Sequence, residues 1–290
     1  MTDWGAIARH IGDVTGHAFK PHDRSSVGGG CISVATVLSD GPRSYFVKCH
    51  DASRLDLFEA EADGLAALAS SGTIRVPVPV CWGLAGGASY LVLERLDLAG
   101  AGRGAEAGRR LAALHRVGGT AFGWHRDNYI GATPQPNNQT PDWIGFWRDH
   151  RLGFQLDLAA RNGHGRALQQ GDRLLADLGA FIGHQPSPSL LHGDLWGGNL
   201  AYLADGSPVI FDPAVYLGDR EADLAMTDLF GGFGGDFYAA YREAWPLDPG
   251  YATRKTLYNL YHILNHLNLF GSGYLGQASS MIERLLAELR

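Results

Sequence analysis

The sequence predicts a two-lobed α+β fold, in which a small antiparallel sheet lobe precedes a larger, mainly helical lobe. Runs rich in β-branched and aromatic residues, which are typical of strands, are concentrated in the first third of the chain. Beyond Asp97, apolar residues recur at the three- and four-residue spacing of amphipathic helices. With ~100–200 residues expected per domain, the 290 residues correspond to one large domain or two joined lobes. We expect the lobes to occupy residues 1–98 and 99–290, with the boundary in the Gly- and Ala-rich stretch 99–104.

The small lobe is predicted to be an antiparallel sheet of about five strands with one helix packed against it. A short helix through Ile7 and Ile11 precedes the sheet, and the packed helix covers residues 54–69. One strand is expected before the glycine run at 28–30. The other strands are expected at 31–38, 44–50, 80–84 and 89–96.

The large lobe is predicted to be helical, with two short strands near its middle. The strands are expected at 200–203 and 209–211. Helices are expected at 105–117, 143–160, 166–182, 222–230, 237–245, 254–270 and 278–289.

Charge and cysteine content exclude several classes of protein. The net charge of −6 argues against a nucleic-acid binder, which would carry a clustered basic surface. The three cysteines, Cys31, Cys49 and Cys81, are odd in number and lack the spacing of a zinc site or a disulfide framework. The N-terminal residues show neither the basic region nor the apolar region of a secretory leader, and no apolar run of about 18 residues occurs in the sequence. We therefore expect a cytoplasmic protein with no nucleic-acid or membrane partner.

The strongest chemical signal is the sequence His-Gly-Asp-Leu-Trp-Gly-Gly-Asn at 192–199, followed by a strand that ends in Asp212. Phosphoryl transfer needs a carboxylate to orient the attacking hydroxyl, and an amide oxygen with a second carboxylate to hold Mg²⁺. We assign the first role to Asp194 and the magnesium ligands to Asn199 and Asp212. Such residues also favour turns, so the alternative is a plain loop.

A second cluster lies in the small lobe. Backbone N–H groups of the run Gly28, Gly29 and Gly30 can approach phosphate oxygens without interference from side chains. Lys48 lies within an apolar strand and needs an anionic partner, which Glu61 on the next helix can supply. Glu59 is an alternative partner on another helix face. Without a function, the glycine run would be an ordinary hairpin. Lys48 would then bury its aliphatic side chain and extend its charged end to solvent.

Together these motifs resemble the protein-kinase-like fold of small-molecule kinases, and within it the fructosamine kinase (ketosamine-3-kinase) family. The resemblance rests on HGDLWGGN, on DPAVYLGDREADLAMTDLFGGF, on FGWHRDNYIG with a nearby Pro134-Gln135, and on LYHILNHLNLFG. It implies ATP and Mg²⁺ as cofactors and phosphorylation of the sugar 3-hydroxyl of ketoamines, which initiates deglycation. It also implies that the connector Glu94, Arg95 and Leu96 binds adenine through its backbone.

The chain departs from eukaryotic protein kinases at two motifs. It has His-Gly-Asp where they have His-Arg-Asp, and Asp-Pro-Ala where they have Asp-Phe-Gly. These losses remove the usual parts of activation-loop control, so we expect activity without regulatory phosphorylation.

Further residues carry weaker expectations. His192, Trp196 and Asp219 are expected to face the substrate, although Trp196 can equally pack and the acidic run at 219–223 is also typical of a helix N-terminus. His262 and His266 have zinc-pair spacing but are better explained as interior histidines. Cys31, next to the glycine run, is a candidate redox residue that could link two chains.

The partner is expected to be a small-molecule or protein-bound ketoamine, and the chain is expected to be a monomer, or a dimer through Cys31. Two rival functions stay open. One is a kinase of another small alcohol, such as an aminoglycoside, choline or homoserine, because the HGDxxxxN pattern is common to that fold. The other is a catalytically silent nucleotide-binding scaffold, for which Asp194 and Asn199 together would be unnecessary.

Overall fold

The computed structural model describes residues 1–27 and 34–289, and contacts along the chain divide it into two units. The first unit comprises Met1–Arg103 with Ala201–Asp212. The second comprises Gly104–Leu200 and the chain from Pro213 onward. Residues 201–212 therefore group with the N-terminal sheet, although the sequence analysis places them in the second lobe.

The strands and helices are numbered in chain order over the described residues. The strands are β1 (Asp23–Val27), β2 (Val34–Ser39), β3 (Ser44–Asp51), β4 (Pro79–Ala85), β5 (Ala88–Glu94), β6 (Leu98–Ala99), β7 (Asn128–Ile130), β8 (Thr133–Gln135), β9 (Ser189–Leu191), β10 (Leu200–Leu203), β11 (Pro208–Ile210) and β12 (Tyr216–Gly218). The helices are α1 (Trp4–Thr15), α2 (Leu55–Ser70), α3 (Gly104–His115), α4 (Trp143–Trp147), α5 (Gly153–Arg161), α6 (Gly171–Ala176), α7 (Arg220–Leu229), α8 (Gly235–Ala244), α9 (Tyr251–Phe270) and α10 (Leu275–Ala287).

The first unit is built on a five-stranded antiparallel sheet with the order β1-β2-β3-β5-β4. One face of the sheet packs against α1, and Ile7 and Ile11 of that helix belong to the same apolar cluster as Val47 and Cys49 of β3. Because side chains alternate across a strand, Lys48 lies on the opposite face. The five-stranded α+β prediction is confirmed.

The second unit is mainly helical and has its own apolar core. Trp147, Leu257 and Ile263 are among the fully buried side chains of this core. The predicted helix 143–160 is present as α4 and α5, joined by one π-helical turn at Arg148–Leu152. Among the described helices, none is long and apolar enough to cross a membrane.

The prediction of one long helix at 166–182 is wrong. Only α6 and a short 3₁₀ turn at Leu178–Ala180 form there. Gly171 and Gly179 lie within the segment, and a glycine inside a helix costs ~1 kcal/mol relative to alanine. The apolar spacing of this segment is therefore not matched by sufficient helix propensity.

Candidate active site

In the first unit, Lys48 forms ion pairs with two carboxylates. Its Nζ lies 2.6 Å from Oε1 of Glu61 on α2 and 2.5 Å from Oδ1 of Asp212. The Lys48 and Glu61 side chains are almost fully buried, whereas 48% of the Asp212 side chain is exposed. The structure therefore contains the Lys48–Glu61 pair that the sequence predicts, and it adds Asp212.

The charges of this cluster shift the pKa values of its members. Burial alone lowers the pKa of Lys48, but the carboxylates of Asp212 and Glu61 outweigh it and raise that pKa above its ordinary value. Burial and the Asp212 charge raise the pKa of Glu61, against the opposing effect of Lys48. One ammonium thus faces two carboxylates, and the exposed carboxylate of Asp212 is accessible to a further cation.

The backbone at Asp212 is strained. Its φ is 57°, and it is the one non-glycine residue with positive φ in the described chain. Aspartate tolerates this left-handed region better than most residues, and such strain is concentrated at functional sites. Pro213 follows directly and disfavours a right-handed helical backbone at Asp212.

In the second unit, hydrogen bonds fix the loop that carries Asp194. The loop leaves β9, which pairs with β12. His192 is fully buried, and its Nδ1 lies 3.3 Å from the backbone nitrogen of Asp194, which donates to it. The Asn199 side-chain amide donates to the Asp194 carbonyl over 2.9 Å. Asn199 therefore holds the backbone of the loop that contains Asp194.

The backbone conformation and the packing at position 193 explain why a glycine lies between His192 and Asp194. Its φ is 82°, and a Cβ built at this position would collide with the carbonyl oxygen of Ala214. The Ala214 backbone nitrogen in turn donates to the His192 carbonyl over 2.8 Å. The loop and the segment after Asp212 are therefore packed too closely at Ala214 for a side chain at position 193.

Asp223 is the main positioning residue that the sequence analysis missed. Its carboxylate accepts hydrogen bonds from the backbone N–H groups of His192 and Gly193, at 2.7 and 2.8 Å, and lies 3.2 Å from Nε2 of His115. Burial alone would raise the pKa of Asp223, but the hydrogen bond and charge of His115 and the contacts with the loop outweigh it and lower that pKa. The ionised carboxylate is thus the stable form that holds the loop.

Asp219 and Glu221 have other internal partners. Asp219 is 1% exposed, caps α7 through the Glu221 N–H, and accepts hydrogen bonds from Tyr258 and His184. Glu221 forms a two-bond ion pair with Arg254. This placement favours the helix-capping interpretation of Asp219 over a contact with substrate. The burial of these two residues gives no support to the expectation that Asp219 faces the substrate.

The ligand atoms of His184, Asp219 and Glu221 lie within 4.8 Å of one another. Burial lowers the pKa of His184, but its hydrogen bond to Asp219 outweighs this and raises that pKa. Arg254 and Tyr258 already occupy carboxylate oxygens of this cluster, and Nδ1 of His184 is buried without a hydrogen-bond partner among the described residues. The carboxylates therefore already serve an ion-pair and hydrogen-bond network. We assign no metal to it.

A buried amide network supports the segment that follows Asp212. Gln135, which is 1% exposed, donates to the Ala214 carbonyl over 3.1 Å and accepts a hydrogen bond from Tyr261. Asn128 donates to the carbonyl of the next residue, Val215. In the sequence, Gln135 is evident only as part of a motif, because its hydrogen-bond partners are distant along the chain.

Trp196 lies in the loop that carries Asp194 and is 38% exposed. Its ring makes an edge contact with Phe230 at 6.3 Å, and Phe230 lies 4.7 Å from the ring of His266. Nδ1 of His266 donates a hydrogen bond to the carbonyl oxygen of His262. The partly exposed Trp196 is thus available for a ligand contact, whereas His262 is interior, as the sequence analysis favoured.

The predicted nucleotide contacts are only partly described. Gly28, Gly29, Gly30 and Cys31 lie outside the described residues. Glu94 ends β5, and its backbone N–H donates to the Val78 carbonyl over 2.9 Å, so that group is already used within the protein. Its side chain pairs with Arg75 at 2.5 Å. Arg95 and Leu96 follow the strand, and their contact with adenine stays a prediction.

Comparison with known proteins finds a family model and several relatives that match almost the whole chain. The family model described as fructosamine kinase matches residues 3–288. A probable ketoamine kinase of Synechocystis sp. is 51% identical over 98% of this chain and 97% of its own length. A chloroplastic protein-ribulosamine 3-kinase of Oryza sativa subsp. indica is 44% identical over 95% of this chain and 82% of its own length.

Two solved structures are similar to this chain over almost its whole length. A crystal structure from Haemophilus somnus 129PT, provisionally assigned as a fructosamine-3-kinase, is 30% identical, has a TM-score of 0.90 and covers 98% of this chain and 97% of that one. An aminoglycoside phosphotransferase in complex with ADP and hygromycin B has a TM-score of 0.63 at 16% identity and covers 97% of this chain and 98% of that one. The second likeness shows the kinase-like fold alone.

Proposed function

The chain belongs to the fructosamine kinase family, and from that premise we propose that it transfers the γ-phosphoryl group of ATP to the sugar 3-hydroxyl of ketoamines. The observation that carries the proposal is the contact of the Lys48 ammonium with both Glu61 and Asp212. A buried lysine held in this way presents a compact positive charge suited to phosphate oxygens. The names of the ketoamine and ribulosamine 3-kinases that this chain resembles support the substrate class.

Each residue has a distinct role in the proposed reaction. Glu61 orients Lys48, whose ammonium binds phosphate oxygens of ATP. The carboxylate of Asp194 accepts a hydrogen bond from the sugar 3-hydroxyl and orients its oxygen toward the γ-phosphorus. Asp223 and Asn199 keep the Asp194 loop in one conformation through the hydrogen bonds described above.

The side chains assigned to the metal suit Mg²⁺ chemically. Asn199 and Asp212 offer amide and carboxylate oxygens, which are the ligands that Mg²⁺ prefers. Nearly half of the Asp212 side chain is exposed, so its carboxylate is accessible. When bound, Mg²⁺ would neutralise charge on the phosphate groups.

An assay of ADP formation with a panel of acceptors tests the proposal. The panel contains fructosamine, ribulosamine and erythrulosamine adducts of free lysine and of a protein, together with an aminoglycoside, choline and homoserine. We expect turnover with ketoamines and a new phosphate ester at the 3-position, detected by ³¹P NMR. Turnover with only the other alcohols would contradict the substrate assignment, and ATP binding without any turnover would favour a silent scaffold.

The variant Asp194→Asn tests the proposed role of the carboxylate. It should lower kcat by ~10²–10⁴-fold, the range for loss of one general-base group, with ATP affinity nearly unchanged. The matched control is Asp205→Asn, because Asp205 is an exposed carboxylate that accepts a hydrogen bond from the backbone N–H of Ser207 in a turn. Retained turnover in Asp194→Asn would contradict the assignment.

The remaining expectations complete the proposal. We place the activity in the cytoplasm and leave the choice between free and protein-bound ketoamines to the panel. Size-exclusion chromatography with and without peroxide tests whether the chain is a monomer or forms a dimer through Cys31. Cys31→Ala should abolish any peroxide-induced dimer.

A further inference from the structure

A cavity of about 170 Å³ opens between α9 and α10 in the second unit. Lys255 and Asn259 are four residues apart on α9, and Ser280 and Arg284 are four residues apart on α10. This spacing places each pair on one face of its helix. The cavity is therefore lined from both helices by polar side chains, to which Thr256 adds a hydroxyl.

Most of these polar groups have no partner within the described chain. Arg284 is exposed and makes no ion pair or hydrogen bond there, and the same holds for the hydroxyls of Thr256 and Ser280. Asn259 is only 6% exposed, and its Oδ1 is a buried acceptor without a donor. A buried polar atom without a partner costs free energy, which a suitable ligand would recover.

Lys255 also retains donor capacity. Its Nζ lies 2.5 Å from Oδ2 of Asp228. An ammonium has three N–H donors, so two are left for a ligand. Since Asp228 offsets one positive charge and Arg284 has no ion-pair partner among the described residues, the cavity keeps a net positive charge.

The donors and acceptors specify the class of ligand. A guanidinium, an ammonium and two hydroxyls offer more hydrogen bonds than a carboxylate can use, whereas a phosphate monoester has three terminal oxygens. The buried Oδ1 of Asn259 needs a donor, which the doubly ionised phosphate group of a monoester lacks but a ligand hydroxyl supplies. The volume is below the ~300–1,000 Å³ of sites for drug-sized ligands, which favours a small molecule.

We propose that this cavity binds a small phosphate ester that carries free hydroxyl groups. Arg284 and Lys255 bind the phosphate oxygens, and Asn259 accepts a hydrogen bond from a hydroxyl. Leu229 and Met281 contact the carbon chain. The site uses none of the residues assigned to phosphoryl transfer, so it does not depend on the proposed function.

Calorimetric titration with glycerol 3-phosphate tests the site in the full chain at low salt. Saturating AMP-PNP is present throughout, so that binding at the proposed ATP site does not contribute. We expect saturable binding that weakens at least tenfold in Arg284→Gln and in Lys255→Gln. The control is Arg242→Gln, which removes an exposed helical arginine outside the cavity and should leave binding unchanged.

Asn259→Leu tests the hydroxyl contact separately. The wild type should prefer glycerol 3-phosphate to methyl phosphate, which has no hydroxyl on its carbon chain, and the variant should lose that preference while still binding methyl phosphate. Thermal unfolding verifies that each variant is folded. Absence of saturable binding by the wild type, binding unaffected by Arg284→Gln, or equal affinity of the wild type for the two probes would overturn the proposal.

Discussion

Oδ1 of Asp223 accepts a 2.8 Å hydrogen bond from the backbone N–H of Gly193. The other carboxylate oxygen accepts from His192, so one buried side chain fixes two consecutive peptide groups directly before Asp194. An asparagine cannot replace it, because its NH₂ group would face one of the two N–H donors.

We therefore expect Asp223→Asn to affect both stability and catalysis. Loss of one buried acceptor should lower the free energy of unfolding by ~1–3 kcal/mol. A displaced Asp194 loop should lower kcat by about 100-fold, with a much smaller change in the KM for ATP. Urea unfolding and steady-state kinetics measure these effects. Asp228→Asn, on the same helix but paired with Lys255 at the surface, is the control and should change kcat little.

Gly193→Ala should destabilise the protein more than its backbone conformation alone explains. A non-glycine residue in the left-handed region costs ~1–2 kcal/mol. Gly163 also has positive φ, at 91°, but an added Cβ there meets nothing within 4 Å. Gly163→Ala should therefore show the backbone cost alone, whereas Gly193→Ala should lose a further ~1–3 kcal/mol through the collision with Ala214. If denaturant unfolding shows that both variants lose the same free energy of unfolding, the close approach of position 193 to Ala214 is unimportant for stability.

The part of the site that the sequence could predict is the part encoded by short-range periodicity. Lys48 and Glu61 are 13 residues apart, on a strand and the helix after it, and both elements are evident from their apolar spacing. The five-stranded sheet was predictable for the same reason, because alternation and turn residues identify its strands.

The contacts that sequence reasoning missed join residues distant along the chain. Asp223 is 30 residues from Gly193, and its position near a helix N-terminus has an ordinary explanation that needs no tertiary contact. Lys48 and Asp212 are 164 residues apart, so their ion pair depends on the packing of residues 201–212 into the first unit. Pattern and spacing indicate which groups are chemically able to act, but tertiary packing decides which of them meet.

Lys48→Met should impair the use of ATP more than it impairs folding. Removal of a positioned donor for phosphate oxygens should lower kcat/KM for ATP by about 100-fold or more. Lys48→Arg should recover little of the lost kcat/KM for ATP, because a planar guanidinium does not reproduce a compact ammonium between two carboxylates. Steady-state kinetics at varied ATP, together with thermal unfolding, measure these effects. Lys20→Met, at an exposed position of the same unit, should behave as wild type, and equal loss in both variants would contradict a specific role for Lys48.

Buried His262 should make the stability of the protein depend on pH. Burial, and secondarily the charge of His266, lower the pKa of His262 to about 3. In the unfolded chain a histidine has a pKa of ~6.5. Between these values the unfolded state binds one more proton, so the contribution of His262 to stability is fully present above pH ~6.5 and is lost as the pH falls toward about 3.

The variant His262→Leu removes this linkage without adding a charge. Between pH ~6 and ~5, the free energy of unfolding in urea should fall by ~1.2 kcal/mol more in the wild type than in the variant. His17→Leu, at an exposed position, should keep the wild-type slope. Because the comparison uses slopes, it is insensitive to any constant change in packing that leucine introduces. Identical slopes for the wild type and His262→Leu would show that the folded protein protonates His262 as readily as the unfolded chain does.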